Sequence, residues 1–370
     1  MSKPRADAVI VGAGIAGCIV ALALGLAGRR VIIAERAREV GRVGPDFIKP
    51  RGIEVLRDLG VLDELVRRGA VERSTIRYFH DGAPLIHYDF AAHTEVGHYL
   101  IVPYDVLLSA VIGRLADRPN VELWFSAETR ALAEDGPRTR VDLADGRSVD
   151  ASVVIGADGA NSLVRGLAGI TATRRSYEQL MFLATMPLVA SVAAENRLYL
   201  SSGRWAAYYY PVSASQMRVT SVAPVAEAGL FAGPPGPLIE RLRQFVSESD
   251  DVLAAIRDTS VFRGVPLGCM HADEYHRGGV ALVGNALLEV HPMTGQGMSL
   301  AMEDAAALGR ALEAHFAGEV DREAALRRYS DERRPINEHI LRYGDRLYRA
   351  FPERAAYLDS FDPRAHGALR

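Results

Sequence analysis

The residues best suited to chemistry in this chain lie in a loop near residue 290. His291 and Pro292 stand just before Gly295-Gln296-Gly297, and Val280 to Val283 predicts a buried strand closed by Gly284. A glycine-flanked helix start presents bare N–H groups at the positive end of the helix, where a ligand can approach the backbone. The arrangement suits a flat, electron-rich ring that becomes anionic on reduction.

Two side chains near this loop could handle protons. His291, with an ordinary pKa near 6.5, could serve as a base, and a loop histidine without a chemical role is the alternative. Lys49 follows the apolar pair Phe47-Ile48 and is a second candidate. Its alternative is a lysine that extends its charge into solvent.

The N-terminal segment predicts a dinucleotide site. Ala8 to Val11 predicts a buried strand and Ile15 to Ala27 a helix, with Gly12-x-Gly14-x-x-Gly17 spanning their junction. In this context the glycines provide a tight turn, an approach for a pyrophosphate and close packing of helix on strand. Arg30 to Glu35 predicts the next strand, which ends in an acid that can accept the hydroxyls of an adenosine ribose. A glycine turn without a ligand is the alternative.

A third glycine-bearing segment follows a strand predicted near residues 151 to 156. It contains Asp158-Gly159 and precedes another helix. An Asp-Gly pair alone is as readily a structural turn as part of a ligand site.

Composition excludes several functional classes. The 370 residues suggest about two domains, and 43 basic against 46 acidic residues give no general attraction to nucleic acid. Cys18 and Cys269 lie too far apart in sequence to suggest a disulfide framework or a metal cluster, so we expect no metal and a cytoplasmic location. Val9 to Gly28 is uncharged, but its glycines favour a strand, turn and helix over an integral membrane segment.

Together the three segments resemble those of the class A flavoprotein monooxygenases, the para-hydroxybenzoate hydroxylase-like family. The resemblance covers nearly the whole chain and implies an α/β fold: a Rossmann-like FAD-binding domain, an interleaved and mostly antiparallel substrate sheet, and C-terminal helices. It divides the chain into an FAD-binding domain of residues 1–71, 100–170 and 276–318, a substrate domain of residues 72–99 and 171–275, and C-terminal helices over residues 319–370.

The resemblance also implies the residues that hold FAD. The glycine loop and the acid hold the ADP half, the Asp-Gly segment serves FAD and the nicotinamide cofactor, and the loop near residue 290 holds the ribityl chain and the ring, with His291 and Pro292 in the ring's catalytic environment. The implied cofactor residues are Gly12, Gly14, Ala16, Gly17, Glu35, Arg36, Asp158, Gly159, Gly284, Asn285, Pro292, Gly295, Gln296, Gly297 and Met298.

The implied reaction is hydroxylation of a small aromatic or heteroaromatic metabolite, a phenol, quinolone or aryl amine, through a flavin C4a-hydroperoxide. O2 is the co-substrate, and NAD(P)H or free reduced flavin supplies the electrons. Residues 46–61, 197–212 and 291–305 look most like bacterial quinolone and secondary-metabolite monooxygenases, including the alkylquinolone-pathway amine hydroxylase that takes reduced flavin. A flavin reductase is therefore a candidate partner, and monomer and homodimer both stay open.

Three positions depart from the family pattern. Asn285 replaces an aspartate, which should weaken FAD binding by about 1 kcal/mol because a neutral hydrogen bond replaces a charge-assisted one. Leu288 replaces a frequent histidine, and Tyr104 stands where many members place an arginine at a helix start. The departures leave two alternatives open: a flavin oxidase or reductase without oxygen insertion, and a non-catalytic flavin-binding protein.

The substrate pocket is predicted on the antiparallel sheet. Trp205 to Tyr210 predicts a strand whose alternation directs Tyr208 and Tyr210 to one face and Tyr209 to the other. Packing of these rings in the core of the sheet is the alternative. The candidate pocket residues are Lys49, Phe182, Tyr208, Tyr210 and Pro266.

The C-terminal run from Arg322 to Phe351 predicts helix with a break or fresh start at Pro335. Its arginines, Arg333 among them, alternate with acidic residues, which predicts a solvated outer face.

Overall fold

The structure, a computed structural model, describes residues 4–41 and 44–366. Its strands are β1 (Arg5–Val11), β2 (Val31–Ala34), β3 (Phe47–Ile48), β4 (Val71–Arg73), β5 (Thr75–His80), β6 (Ala83–Asp89), β7 (Tyr99–Ile101), β8 (Val121–Trp124), β9 (Thr129–Asp135), β10 (Arg138–Leu143), β11 (Ser148–Gly156), β12 (Ala172–Pro187), β13 (Arg197–Leu200), β14 (Ala206–Pro211), β15 (Gln216–Pro224), β16 (Arg263–Ala272), β17 (His276–Arg277), β18 (Val280–Leu282) and β19 (Leu288–Glu289). Its helices are α1 (Ile15–Leu26), α2 (Pro50–Asp58), α3 (Leu62–Arg67), α4 (Tyr104–Ala116), α5 (Leu163–Leu167), α6 (Ala190–Ala194), α7 (Pro235–Arg243), α8 (Asp250–Ala255), α9 (Gly297–Phe316), α10 (Arg322–Ala350) and α11 (Arg354–Ser360).

The first large sheet has the order β17-β18-β11-β1-β2-β8, with β10 and β9 continuing from β11. Strands β18, β11, β1, β2 and β8 run parallel, and their Val- and Ile-rich sequences suit burial on both faces. The carboxyl ends of β1, β11 and β18 are therefore neighbours. This is the Rossmann-like unit that the sequence predicts.

The second large sheet has the order β19-β16-β12-β15-β14-β13-β5-β6 and is antiparallel except where β13 pairs with β5. One face joins the continuous core that contains β1 and α1, and the other covers a second core beneath α7 and α8. A small third sheet has the order β3-β7-β4, and its buried side chains belong to the core that contains β1 and α1. The predicted fold class is confirmed, and the proposed residue boundaries of the domains stay a prediction.

Helix α9 packs between α1 and α10. Its buried carboxylates Glu303 and Asp304 meet the guanidinium of Arg333 from α10, with Arg333 Nε donating to Asp304 over 2.6 Å and Nη2 to Glu303 over 3.1 Å. Asn337 also donates to Asp304. A buried charge network of this kind is stable only when every carboxylate keeps its partner.

The expected break in the C-terminal run is wrong, and the expected solvated face is wrong at Arg333. Helix α10 continues through Pro335 without a break, although an interior proline removes one backbone hydrogen bond at a cost of about 3 kcal/mol. Packing on α9 holds the helix together on both sides of the proline. Arg333 is 2% exposed and does not face solvent, because the acids that neutralise it lie on α9 and not on its own helix. No helix among residues 4–41 and 44–366 is long and apolar enough to cross a membrane.

Replacing Arg333 with Ala should lower the free energy of unfolding by about 3–5 kcal/mol, because Asp304 stays buried without its cation and Glu303 keeps only Arg51, whose Nε lies 3.4 Å from it. Arg328→Ala, on the exposed side of the same helix, should change it by less than about 0.5 kcal/mol. Equilibrium unfolding in urea measures both values. Equal effects would show that the ion pair does not stabilise the α9–α10 contact.

Candidate active site

The glycine loop between β1 and α1 is shaped by two contacts that exclude any side chain. Gly12 has φ +104°, and a Cβ there would lie 2.5 Å from the carbonyl oxygen of Ala157; a Cβ on Gly17 would lie 2.2 Å from the carbonyl oxygen of Gly12. Gly14 is different, since a Cβ there would meet only the Tyr104 hydroxyl, at 3.7 Å. Gly12 and Gly17 thus close the turn, while Gly14 leaves one side of it open.

Glu35, just after β2, is held against this loop. Its Oε2 accepts the N–H of Ala13 and its Oε1 that of Ala37, each over 2.8 Å. Each carboxylate oxygen retains a lone pair, so the acid is oriented and can still accept hydroxyl groups. Arg36 is exposed beside it. Their roles toward adenosine stay predictions.

Asp158 caps the short helix α5. Its Oδ1 accepts the Ser162 hydroxyl over 2.5 Å, and its Oδ2 accepts the N–H groups of Leu163 and Val164 over 2.7 and 3.1 Å. The carboxylate therefore holds the start of α5, and its role toward a cofactor stays a prediction. Gly159, at φ +86°, has no atom within 4 Å of a Cβ position, so its surface is open to a ligand.

Arg165 joins the Asp-Gly segment to the turn after β18, a link that the sequence does not predict. Its guanidinium is buried and donates to the carbonyl oxygens of Ala160 and Ala286 over 2.8 and 2.7 Å. An arginine in the first turn after an Asp-Gly segment has no sequence signal of its own, because its partners are backbone carbonyls.

The turn after β18 packs directly on α1. Gly284 has φ +60°, and a Cβ there would lie 2.8 Å from the Cβ of Ala16. Asn285 is exposed in this turn, whereas Met298 is buried in the first turn of α9. The turn after β18 and the first turn of α1 thus meet across one close contact.

The loop from His291 to Gly297 is held in shape by its own hydrogen bonds. The Thr294 hydroxyl donates to the carbonyl oxygen of His291 over 2.9 Å and accepts the N–H of Gln296 over 3.2 Å. Gly295 has φ +60°, and α9 begins at Gly297. Pro292 and Gly297 are exposed, so this helix start is accessible to a ligand, as the glycine spacing predicts.

His291 is buried behind the loop and does not face its open side. Its ring meets Tyr177 edge to face at 4.5 Å, and its Nδ1 accepts the N–H of Met293 over 3.2 Å. Burial lowers the pKa of His291 to about 4, against a smaller opposing effect of Asp345. The structure gives His291 a capping role, and a catalytic role stays a prediction that this low pKa disfavours.

Tyr208 and Tyr210 lie on the face of the second sheet that packs on the core containing β1 and α1. Both contact Phe47, with ring centroids at 5.1 and 4.5 Å, and Tyr210 donates to Asp46 over 3.2 Å. Tyr209 lies on the outer face against Tyr199. The predicted alternation along this strand is confirmed.

Two of the predicted pocket residues lie elsewhere. Phe182 stacks on Phe231 at 3.7 Å in the outer core. It is on the same face as Tyr209, because Phe182, Ser221 and Ala207 are cross-strand neighbours. Pro266 is exposed in β16. The residue types at these positions suggested the wall of a pocket. The strand register determines the face of the sheet on which each side chain lies.

Lys49 is buried beside the loop from His291 to Gly297 and does not extend to solvent. It is 3% exposed, and a Cβ on Gly295 would lie 3.3 Å from its Cε. Its Nζ lies 3.0 Å from Nδ1 of His366 and 4.8 Å from the centroid of the Phe90 ring. Burial lowers the pKa of Lys49 to about 7. His366, near the end of the described chain, was missed because nothing in its local sequence indicates burial.

The described residues fit a dinucleotide with an attached ring. Open backbone surrounds Gly14, Gly159 and Gly297, and the buried amide Nε2 of Gln296 has no hydrogen-bond partner in the described part of the chain. An orphaned donor beside an accessible helix start is a position where a polar ring edge would satisfy it. Among the residues described, no group of acidic, histidine and cysteine side chains could hold a metal ion.

Residues 5–343 match the family model described as an FAD binding domain. The chain belongs to this family.

It is 37% identical to PqsL of Pseudomonas aeruginosa, crystallised with 2-aminobenzoylacetate, with a TM-score of 0.93 and coverage of 97% of this chain and 100% of that one. It is 30% identical to 3-amino-4-hydroxybenzoate 2-monooxygenase of Streptomyces cremeus, over 92% of this chain and 86% of that protein. It is 28% identical to 6-hydroxynicotinate 3-monooxygenase of Bordetella bronchiseptica, over 90% of this chain and 88% of that protein. The predicted class, an FAD-dependent monooxygenase, is confirmed.

Replacing Gly12 with Ala should abolish tight FAD binding, because φ +104° and the contact with Ala157 both disfavour a side chain. Gly113→Ala, in the interior of α4 with nothing within 4 Å of its Cβ position, is the matched control and should bind FAD normally. FAD titration by isothermal calorimetry makes the comparison. Equal affinities would refute the inferred role of the turn.

Lys49 should destabilise the fold most at neutral pH and below. Its pKa is about 7 in the folded chain against an ordinary 10.5, so the unfolded chain binds more protons between these values and stability should rise with pH through that range. Lys49→Met should therefore stabilise the protein by roughly 4 kcal/mol at pH 7, and by roughly 1 kcal/mol at pH 9.5. Unfolding in urea at both values tests this. A gain independent of pH would mean that Lys49 is not a neutralised amine.

Proposed function

We propose that this enzyme hydroxylates a small aromatic or heteroaromatic ring bound between the Tyr208–Tyr210 face of the second sheet and the loop from His291 to Gly297. The observation that carries the proposal is a lysine amine enclosed by aromatic rings directly beside that loop. The ring centroids of Phe90 and Tyr99 lie 4.8 and 5.5 Å from its Nζ. An apolar site with one convergent polar group is typical of small-ligand pockets.

Phenols, quinolones and aryl amines are the substrate classes to consider. The names of two similar proteins mention a benzene ring that carries an amino group, 2-aminobenzoylacetate for PqsL and 3-amino-4-hydroxybenzoate for the Streptomyces enzyme. A third names a hydroxylated pyridine ring. These names favour ring substrates with an amine or hydroxyl group, and aryl amines are the first to test.

The residues of this chain would bind FAD and exclude water. The glycine loop with Glu35 would hold the ADP half, and Gly295 to Gly297 with the Gln296 amide would contact the ring. When bound, FAD supplies the electron transfer and oxygen activation that hydroxylation by O2 requires. Electrons come from NAD(P)H or from free flavin reduced by a separate reductase.

Lys49 would accept a proton from the hydroxyl or amine group of the substrate. A buried amine with a pKa of about 7 exchanges its proton readily at neutral pH, and His366 Nδ1 is placed to share it. A phenol or an aryl amine becomes a better nucleophile when a proton is removed or shared. Lys49 is thus a stronger candidate base than His291.

The setting of the enzyme is also a proposal. We infer a cytoplasmic location, since Cys18 and Cys269 are both free and buried, and a monomer or homodimer.

The test is anaerobic mixing of the protein with FAD and NADH, NADPH or pre-reduced FAD, followed by 18O2 and a panel of aryl amines, phenols and quinolones. Loss of the oxidised flavin absorbance identifies the electron donor. A product heavier by one 18O atom supports hydroxylation. Peroxide as the only product with every ring substrate would identify an oxidase instead, and failure to bind flavin reducibly would identify a binding protein.

Tyr208→Phe should raise KM for the active substrate roughly three- to tenfold, because the hydroxyl on the site face is lost at a cost of about 0.5–1.5 kcal/mol. Tyr209→Phe removes the same group from the opposite face of the same strand and should leave KM unchanged. Steady-state kinetics with both variants makes the comparison. If KM changed equally in both, the pocket would not lie on the predicted face.

A further inference from the structure

Tyr104 reaches from the start of α4 to the start of α1, where the glycine loop opens. Its hydroxyl accepts the N–H of Ile15 over 3.3 Å and is the nearest atom to the Cβ position of Gly14. Its ring is fixed from the other side, since a Cβ on Gly44 would lie 2.5 Å from it. Three separate segments of the chain therefore hold this phenol over the loop.

The N–H that Tyr104 engages is one that a ligand would otherwise use. The first amides of a helix have no partner within the helix, and together with the helix dipole they form a site for phosphate. Helix α1 has no side-chain cap at Gly14 and no acidic residue in its first turn. The acceptor for the Ile15 amide is thus supplied by Tyr104, 89 residues away.

The phenol is a neutral group in this position. Burial raises the pKa of Tyr104, with a smaller opposing effect of the bond from Ile15 and further small increases from Cys18 and Glu35. The hydroxyl therefore stays protonated at neutral pH. Unlike an arginine, it carries no positive charge and cannot form a charge-assisted hydrogen bond with a phosphate. It therefore does not compensate a phosphate for the loss of the amide that it occupies.

We propose that Tyr104 competes with the pyrophosphate of FAD, its hydroxyl taking the place of a phosphate oxygen at the Ile15 amide until the cofactor displaces it. The bond stabilises only the ligand-free protein, so FAD binding must break it. By this account Tyr104 is a positioning residue that lowers FAD affinity and favours exchange of flavin with solution. The proposal depends on FAD as cofactor but not on the identity of the ring substrate.

Affinity and stability of Tyr104→Phe test the competition. The variant keeps the ring and removes only the hydroxyl, so FAD should bind roughly two- to tenfold more tightly, the range expected for one neutral hydrogen bond. Without ligand the variant should melt at a lower temperature than the wild type, while the two saturated proteins should melt together. A residue that only supports the fold would lower both melting temperatures.

Binding of ADP and riboflavin, two fragments of FAD, shows which part of the cofactor Tyr104 affects. ADP, which carries the pyrophosphate, should show the same gain in affinity with Tyr104→Phe, and riboflavin, which lacks it, should show none. Tyr104→Arg should tighten FAD and ADP further, with a gain that shrinks as salt rises. Tyr199→Phe, whose hydroxyl lies in the outer core bonded to Ser249, is the matched control and should bind all three ligands as the wild type does.

Calorimetric titration and thermal melts therefore decide the question without an activity assay. Tighter binding of FAD and ADP by Tyr104→Phe supports the proposal. Unchanged binding overturns it, since the phenol would then have no effect on FAD. Weaker binding also overturns it, since the phenol would then be a ligand of the phosphate. A protein that binds ring substrate but no FAD in any variant would overturn the cofactor assignment as well, and so distinguishes the two failures.

Discussion

The close contact of three turns at the carboxyl ends of β1, β11 and β18 is the constraint on which the rest of this structure depends. Neither Gly12 nor Gly284 has room for a single methyl group, because Ala157 and Ala16 approach too closely. Parallel pairing brings these ends together, and the missing side chains let the backbones meet. An accessible helix start beside a dinucleotide turn follows from this contact, and so does the cofactor class.

Helix α9 links these turns to Lys49 and to α10. The loop from His291 to Gly297 ends at its first turn, and its Ser299 hydroxyl accepts the N–H of Lys49 over 2.9 Å. One turn further on, Asp304 is bound by Arg333 of α10. The helix is thus held from two sides within two turns of the site. Rigid support of this kind allows a site with few polar groups to keep its geometry.

The sequence predicted well the secondary structure around the glycine loop and the loop from His291 to Gly297, because glycine spacing and buried β-branched runs are local signals. It predicted the two faces of the Tyr208–Tyr210 strand from alternation alone. It failed where the partner is distant: Phe182 follows the register of β12, Arg333 is buried by acids on another helix, and Lys49 is enclosed by His366, 317 residues away. Asp158 lies between these two cases. The Asp-Gly motif predicts a turn there, but it does not distinguish a carboxylate that caps a helix from one that binds a ligand.

The sequence by itself determined the order of the elements, the glycines that cannot be replaced and the family to which the chain belongs. These are properties of neighbouring residues, and backbone geometry links them directly to structure. Only the tertiary structure decided which side chains face the site and in which protonation state. Burial sets both, and burial of Lys49, His291 and Tyr104 is produced by segments far away in the chain. The position of the chemistry is therefore local information, whereas its acid–base behaviour comes from the assembled fold.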